Sequence, residues 1–245
     1  MKKQGFKMLI MITALIGSMQ LVSCSKDTSI DSMVAGDESA AMVEKSSTSA
    51  SGFGSGTGDC INNFPKEPLS VAEIDALNFM CEEELLAKDT YVLFYSMYKM
   101  PVFNNISLSE TQHAKEVEAL LLKYELPDPI VNHVAGVFVN PELQAFYTKM
   151  TTLGSASLIS AFTAGATIED MDIFTLQNYI TTEVDNQDIL YVFGNLEKGS
   201  RNHLRSFYKL LKANGVIYVP QYISQEYFDA IISSRHEGGK NAFPK

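Results

Sequence analysis

The chain of 245 residues carries 19 Lys and Arg against 29 Asp and Glu, which gives a formal net charge of -10. This balance argues against a nucleic-acid-binding protein, which needs clustered basic residues to displace counterions from phosphates. A hydrophobic content of 46% rules out a wholly disordered chain, and three cysteines are too few for a disulfide scaffold or a four-cysteine metal site.

The first 23 residues are predicted to be a targeting segment outside the fold. A basic head precedes residues 8–17, an apolar run too short to span a bilayer as a mature helix. The run is followed by Leu21-Val-Ser-Cys24, which resembles the lipobox of bacterial lipoproteins. The resemblance implies removal of residues 1–23, a lipid on Cys24, and a location in the cell envelope on the periplasmic or cell-surface face of a membrane. An ordinary signal peptide that contains a cysteine is the alternative.

Residues 24–68 are predicted to form a flexible tether between this lipid and a domain at residues 69–245. Residues 46–58 are almost entirely Ser, Thr, Ala and Gly, a composition that cannot bury a core. In an exported protein, Cys60 and Cys81 can pair as a disulfide that closes the end of the tether onto the first helix. Two unpaired thiols, with Cys81 packed as a small core residue, are the open alternative.

The domain is predicted to be all-α, because no stretch shows sustained alternation of period two. Four long helices are expected at about residues 70–99, 101–124, 155–182 and 188–213, and short accessory helices at about 141–150 and 224–234. The short first and third connections between the long helices predict antiparallel neighbours. The long connection between the second and third helices can cross the whole bundle, as in ferritin-like topology.

Ligand-type residues interrupt the apolar face of each long helix. They are Glu84 on the first helix, Glu110 and His113 on the second, Glu169 and Asp172 on the third, and His203 on the fourth. Residues three apart share a helix face, so each pair can grip an ion. Four buried carboxylates cost several kcal/mol per ion without a counter-charge, and two divalent cations supply it. Carboxylates with one or two imidazoles per metal suit iron or manganese, so these six residues are predicted metal ligands.

Each of these residues also has an interpretation without a metal. Glu84 lies in the acidic run 82–84, and such runs are usually solvated helix faces. Glu110 follows Ser107 at the spacing of a capping box. If the helix begins at Ser107, Glu110 only caps it; if the helix begins near Pro101, Glu110 is available as a ligand. The coincidence of such residues on all four long helices favours the metal site.

Three segments resemble the metal-binding helices of rubrerythrin. The resembling segments are Glu84-x-x-Ala-x-x-x-Tyr91, Glu110-x-x-His113 and Glu169-x-x-Asp172. More closely, the motifs Glu-Glu-Glu-x-x-Ala-x-Asp, Ser-Glu-x-x-His, Ala-x-Ile-Glu-Asp-x-Asp-Ile and Gly-Ser-Arg-Asn-His-Leu-Arg are similar to an uncharacterised archaeal and bacterial family of the ferritin-like superfamily. The resemblance covers about residues 70–235. It implies a ferritin-like four-helix bundle with two iron or manganese ions and, by analogy, oxidation by dioxygen or peroxide.

The fourth helix departs from the superfamily pattern, which places a second Glu-x-x-His there. Ser200 stands where the glutamate is expected, three residues before His203. Either Asp172 replaces the lost carboxylate, or one metal subsite is weak or empty. Glu197, about one turn earlier, could also swing in, although it lies at the edge of the stripe. Gly199 costs about 1 kcal/mol in a helix relative to alanine, so it marks close packing, space for a small ligand, or a tolerated glycine.

Two functions from different classes remain open. The first is a lipid-anchored di-iron oxidoreductase of the peroxidase or ferroxidase type. Because the chain lacks the four-cysteine donor domain of rubrerythrin, its electrons must come from another, unidentified donor. The second is a non-catalytic bundle that holds metal, or only a degenerate polar core, and binds a partner in the cell envelope. Either function is compatible with a homodimer.

Overall fold

The computed structural model describes residues 61–129 and 131–238, and these residues form helices without any β-strand. The helices are α1 (Val71–Tyr98), α2 (Pro101–Lys123), α3 (Pro141–Gly154), α4 (Leu158–Asn178), α5 (Gln187–Ala213) and α6 (Gln225–Ser233), with a π-helical turn (Tyr179–Glu183) after α4. The all-α prediction is confirmed for these residues. The predicted signal segment, the lipid site at Cys24, the tether up to residue 60 and the Cys60 half of the disulfide lie outside the described residues.

Local signals fix both ends of α1. The Ser70 hydroxyl accepts from the backbone N–H of Glu73 at 3.1 Å, and the Glu73 carboxylate accepts from the Ser70 N–H at 2.8 Å, which is a complete capping box. Glu73 also accepts from the backbone N–H of Asn186 at 3.0 Å, so the same side chain ties the start of α1 to the start of α5. Lys99 ends α1 in the left-handed region with φ 54°, and Pro101 begins α2 immediately afterwards.

The residue at which α2 begins decides whether Glu110 caps the helix or lies inside it. The helix begins at Pro101, and Ser107 lies inside it, with its hydroxyl donating to the carbonyl of Asn104 at 2.8 Å. The capping-box interpretation of Glu110 is therefore wrong. Glu110 lies in mid-helix and is buried.

The four long helices contact one another in the cyclic order α1, α2, α5 and α4, and α3 packs on α1 and α4. Two apolar clusters fill the interior. One contains the aromatic residues Tyr91, Phe94, Phe103, Phe162 and Phe207, and the other contains Leu77, Met80, Leu120, Val192 and Leu196. In α1 and α5 the predicted ligands fall in the sequence between residues of the two clusters. In α2 and α4 they come after the large aromatic residues of the first cluster, Phe103 and Phe162, and before the leucines of the second, Leu120 and Leu176. The helices therefore place a polar layer between two apolar layers.

Acidic residues that flank the predicted ligands hold the connecting segments in place. Oε2 of Glu82 accepts from the backbone N–H groups of Val139 and Asn140 at 2.6 and 3.0 Å. Oδ2 of Asp89 accepts from the N–H of Gly136 at 2.8 Å and lies 2.7 Å from Nε2 of His133. These contacts fasten the long α2–α3 connection to α1.

Within residues 61–129 and 131–238, none of the helices combines the length and the hydropathy needed to cross a lipid bilayer.

Candidate metal centre

The polar layer contains more buried acid than the sequence predicted. Its carboxylates, each at most 6% exposed, are Glu83, Glu84, Glu110, Glu169 and Asp172. The imidazoles of His113 and His203 are the most exposed members, with 12% and 11% of the side chain accessible. All six predicted ligands therefore lie in one layer, together with Glu83, which was not predicted.

Three of these side chains from α1 and α2 form the first ligand group, which consists of Glu84, Glu110 and His113. Nδ1 of His113 lies 2.7 Å from Oε2 of Glu110 and 3.2 Å from Oε2 of Glu84. One donor atom from each residue lies within 4.8 Å of the others, which is close enough to hold one metal ion. The i,i+3 spacing of the α2 pair puts both side chains on one face, as the sequence predicted.

The second ligand group uses α2, α4 and α5 and consists of Glu110, Glu169 and His203. Nδ1 of His203 lies 2.8 Å from Oε1 of Glu110 and 3.4 Å from Oε2 of Glu169. The donor atoms again lie within 4.8 Å of one another. Glu110 belongs to both groups, because each of its oxygens faces a different imidazole. The rings of His113 and His203 are stacked with their centroids 5.7 Å apart.

The charges of these groups perturb one another strongly. Burial alone lowers the pKa of His203, but the charges of Glu110 and Glu169 outweigh burial and raise that pKa to about 10. Burial raises the pKa of Glu110, yet the neighbouring imidazoles of His203 and His113 bring it below its ordinary value. Burial raises the pKa of Glu84 above its ordinary value, against the opposing effect of His113. Acids outnumber bases in this layer, so it favours added positive charge.

The donor atoms fit a metal centre on grounds that are independent of the family. Oε1 of Glu84, Oε1 of Glu110 and Nδ1 of His203 are buried and make no hydrogen bond. Oε1 of Glu110 and Nδ1 of His203 are 2.8 Å apart, but they do not have the geometry of a hydrogen bond. Buried polar atoms are rarely left without a hydrogen bond, and an ion bound by both atoms would explain the exception. Carboxylate oxygens with imidazole nitrogens suit iron or manganese.

Asp172 lies beside the two groups rather than in either of them. The Ser200 hydroxyl donates to its Oδ2, and its Oδ1 has no hydrogen-bond partner. Glu197 does not reach the site, because it lies 2.8 Å from the guanidinium of Arg201 and accepts from the hydroxyl of Tyr227 at 3.1 Å. Of the two acids considered for the role left by Ser200, only Asp172 is adjacent to it.

Two further residues position the predicted ligands. The Tyr91 hydroxyl donates to Oε1 of Glu169, which fixes the orientation of that carboxylate. A Cβ atom added to Gly199 would lie 2.5 Å from Cε1 and 2.6 Å from Nε2 of His113. Gly199 is therefore a site of close packing, and its missing side chain makes room for the imidazole.

The alternative interpretation of the acidic run 82–84 as a solvated helix face is wrong. All three glutamates are buried: Glu82 fastens a connecting segment, Glu84 joins the first ligand group, and Glu83 lies in the polar layer. Helical periodicity assigns only one direction of α1 to the core. Since α1 contacts α2, α3 and α4, it buries several faces. Consecutive acids on a helix that is buried on several sides were the sequence feature that could have indicated the burial of all three glutamates.

Comparison with known proteins identifies the family. The Uncharacterized protein MJ0754 of Methanocaldococcus jannaschii is 46% identical over 181 residues, which cover 74% of this chain and 97% of that protein. The crystal structure of hypothetical protein MJ0754 from Methanococcus jannaschii is similar with a TM-score of 0.69, covering 71% of this chain and 98% of that chain. The model of the family described as Uncharacterized protein domain (DUF2202) matches residues 73–235, a span that includes every predicted ligand. The chain therefore belongs to the DUF2202 family of uncharacterised protein domains.

Proposed function

We propose that the protein is a membrane-anchored, ferritin-like carboxylate protein that holds two iron or manganese ions and carries out redox chemistry with dioxygen or peroxide. The observation that carries this proposal is the position of Glu110, whose two oxygens lie 2.7 and 2.8 Å from the imidazoles of His113 and His203. A buried carboxylate shared by two donor groups is the arrangement that a pair of adjacent ions requires. The anchor is proposed from the lipobox-like segment alone.

Each ion has three proposed ligands. Glu84, His113 and one oxygen of Glu110 would hold the first, and Glu169, His203 and the other oxygen of Glu110 would hold the second. Asp172, which accepts from Ser200, supplies the carboxylate that position 200 lacks. When bound, such a metal pair supplies one-electron redox chemistry toward dioxygen or peroxide.

The surrounding residues suit a small oxidant. The Tyr91 hydroxyl orients Glu169, and the apolar clusters on both sides of the polar layer exclude bulk water. The imidazoles of His113 and His203 are the members of the layer that solvent reaches most easily. This low exposure suits a small oxidant, which would approach the centre past these two imidazoles.

The ferritin-like architecture is supported by the order and the connections of the helices. The α1–α2 and α4–α5 connections are short, and a long segment that contains α3 joins α2 to α4. The four long helices close into a ring. A bundle of two antiparallel pairs with one long crossover is the ferritin-like arrangement.

A non-catalytic metal-binding module is the second candidate, and the serine at position 200 favours it. A serine hydroxyl is a weaker metal ligand than the glutamate that the superfamily pattern places there, so the second ion would be held less tightly. The module would bind metal for stability or for a partner in the envelope.

Metal content separates these functions from a metal-free bundle. The full-length chain, purified in detergent without chelator, is expected to contain close to two iron or manganese ions by elemental mass spectrometry. Glu110→Gln is expected to lose both, and Glu82→Gln, a buried glutamate outside the ligand groups, is the matched control. Oxidation of the ferrous-loaded chain by dioxygen or peroxide, measured by the absorption of the oxidised iron, supports the enzyme. Metal loading without such a reaction supports the module. A folded protein that takes up no metal contradicts both metal-binding functions and supports a bundle with only a degenerate polar core.

A further inference from the structure

The contacts between α2 and α5 form a largely polar seam that includes predicted ligands. Three of these contacts are Glu110 with His203 at 2.8 Å, the ring of His113 against Gly199, and Tyr124 with Asp188 at 2.9 Å. Residue numbers rise along α2 as they fall along α5, so the helices are antiparallel and the contacts are successive layers of one seam. The seam continues past the ligand groups towards the end of the bundle where α2 ends and α5 begins.

Asn195 lies on this seam, between the contacts at Asp188 and Gly199. The intervals of seven and four residues are close to two turns and one turn of an α-helix, so these three residues share one face of α5. One turn, about 6 Å along the axis, therefore separates Asn195 from the glycine against which His113 packs. Asn195 is only 9% exposed, so its side chain is directed into the seam rather than into solvent.

The side chain of Asn195 lacks a partner for its donor and for its acceptor. Its Nδ2 and Oδ1 are buried, and neither makes a hydrogen bond. Buried amides nearly always have partners, because an unmet donor or acceptor retains the full free-energy cost of leaving water. A cation would meet only Oδ1, whereas a molecule with a hydroxyl group can donate to Oδ1 and accept from Nδ2. The site therefore suits a small hydroxylic molecule.

We propose, on the basis of the function proposed above, that Asn195 binds hydrogen peroxide at the α2–α5 seam before the peroxide passes His113 to the centre. Hydrogen peroxide has two linked oxygens, so one can donate to Oδ1 while the other accepts from Nδ2. Water shares this chemistry and occupies the site when peroxide is absent. Dioxygen has no hydroxyl group to donate, so its path to the centre does not depend on the amide. The side chain of His113, with 12% accessible, is the member of the polar layer that solvent reaches most easily, in keeping with an approach from this side.

Crystals of the full-length chain, grown in detergent, test the binding site without any metal. In the absence of peroxide, density for a water is expected within about 2.7–3.2 Å of Nδ2 or Oδ1 of Asn195. After a soak in hydrogen peroxide, this density is expected to become elongated and to reach both atoms. An Asn195 side chain that bonds to protein groups instead, or a water that the soak leaves unchanged, overturns the inference.

Oxidation of the ferrous-loaded chain tests the role of Asn195 in solution. Asn195→Leu keeps the shape of the side chain but removes both polar atoms. The peroxide concentration at half-maximal rate is expected to rise about tenfold, because two hydrogen bonds are lost, whereas the rate with dioxygen is expected to be unchanged. Asn178→Leu, the same substitution at an exposed asparagine on α4, is the matched control and is expected to behave like the wild type with both oxidants.

The outcomes separate this inference from the proposed function. In Asn195→Leu, a fall in rate that is equal for peroxide and dioxygen, or an unchanged dependence on peroxide concentration, overturns the inference alone. A wild-type chain that binds no metal, or that neither oxidant oxidises, overturns the proposed function, while the crystals still test peroxide binding. If thermal melting by circular dichroism shows Asn195→Leu to be unfolded, Asn195→Ala removes the same two polar atoms without a branched side chain and carries the test with the same expected rise.

Discussion

Replacing Gly199 with alanine tests whether backbone packing on α5 positions a ligand on α2. The new Cβ would lie 2.5 Å from Cε1 of His113, whereas ordinary contact begins at 3.4 Å, so the ring must move by about 0.9 Å. A metal–imidazole bond is only about 2.0–2.1 Å long, and a displacement of this size breaks or strains it. Disturbing the residues that support a ligand typically weakens metal affinity by about 10–100-fold, which is roughly 1.4–2.7 kcal/mol.

The assay for Gly199→Ala is Mn²⁺ binding, followed by the loss of the free-ion paramagnetic resonance signal, together with thermal melting. The substitution removes a helical glycine, which by itself stabilises a helix by up to about 1 kcal/mol, so a loss of metal without a comparable loss of folding is expected. Gly154→Ala is the control, because its Cβ would lie 2.1 Å from the Phe94 ring, away from the ligands. It is expected to lower stability and leave Mn²⁺ affinity unchanged. Wild-type affinity in Gly199→Ala would refute the reasoning.

Three further predictions concern orientation, pH and metal removal. Tyr91→Phe removes the hydroxyl that donates to Glu169; we expect metal affinity to fall about tenfold with the fold retained, and unchanged affinity in a titration would contradict an orienting role. Burial raises the pKa of Glu237, but Arg201 and Arg205 outweigh it and bring the pKa from 4.5 to about 2. Its stabilising contribution is therefore present above pH 4.5 and lost as the pH falls towards 2. Glu237→Gln should lower the denaturation midpoint at pH 7 and match the wild type near pH 2, and equal midpoints at pH 7 would contradict this. Removing metal with a chelator should lower the melting temperature. The free energy of unfolding should fall by about 2.7 kcal/mol if metal was present at 100 times its dissociation constant, whereas an unchanged melting temperature would argue against a bound ion.

The sequence predicted the helices and most residues of the polar layer, because those features depend on local spacing. Apolar periodicity located the four long helices, and Pro101 marked the start of α2. The interval of three residues between Glu110 and His113 was enough to place both side chains on one face. Similar intervals on the other helices made a shared site the simplest interpretation.

The remaining features depend on tertiary contacts that spacing does not encode. Glu83 lies off the predicted stripe, and its burial follows from the packing of α1 against several neighbours. The role of Asp89 depends on the path of a connecting segment, since its partner Gly136 is 47 residues away. The reason for Gly199 became visible only when α2 brought His113 against it.

The central claim is that Glu110 joins two ions in one centre, and the most direct measurement is the paramagnetic resonance spectrum of the Mn²⁺-loaded full-length chain. Two ions held on opposite oxygens of one carboxylate are close enough to couple magnetically, so we predict the multiline spectrum of a coupled pair. Glu110→Gln should abolish that spectrum. A spectrum of isolated ions at saturating Mn²⁺, unchanged in Glu110→Gln, would contradict the account.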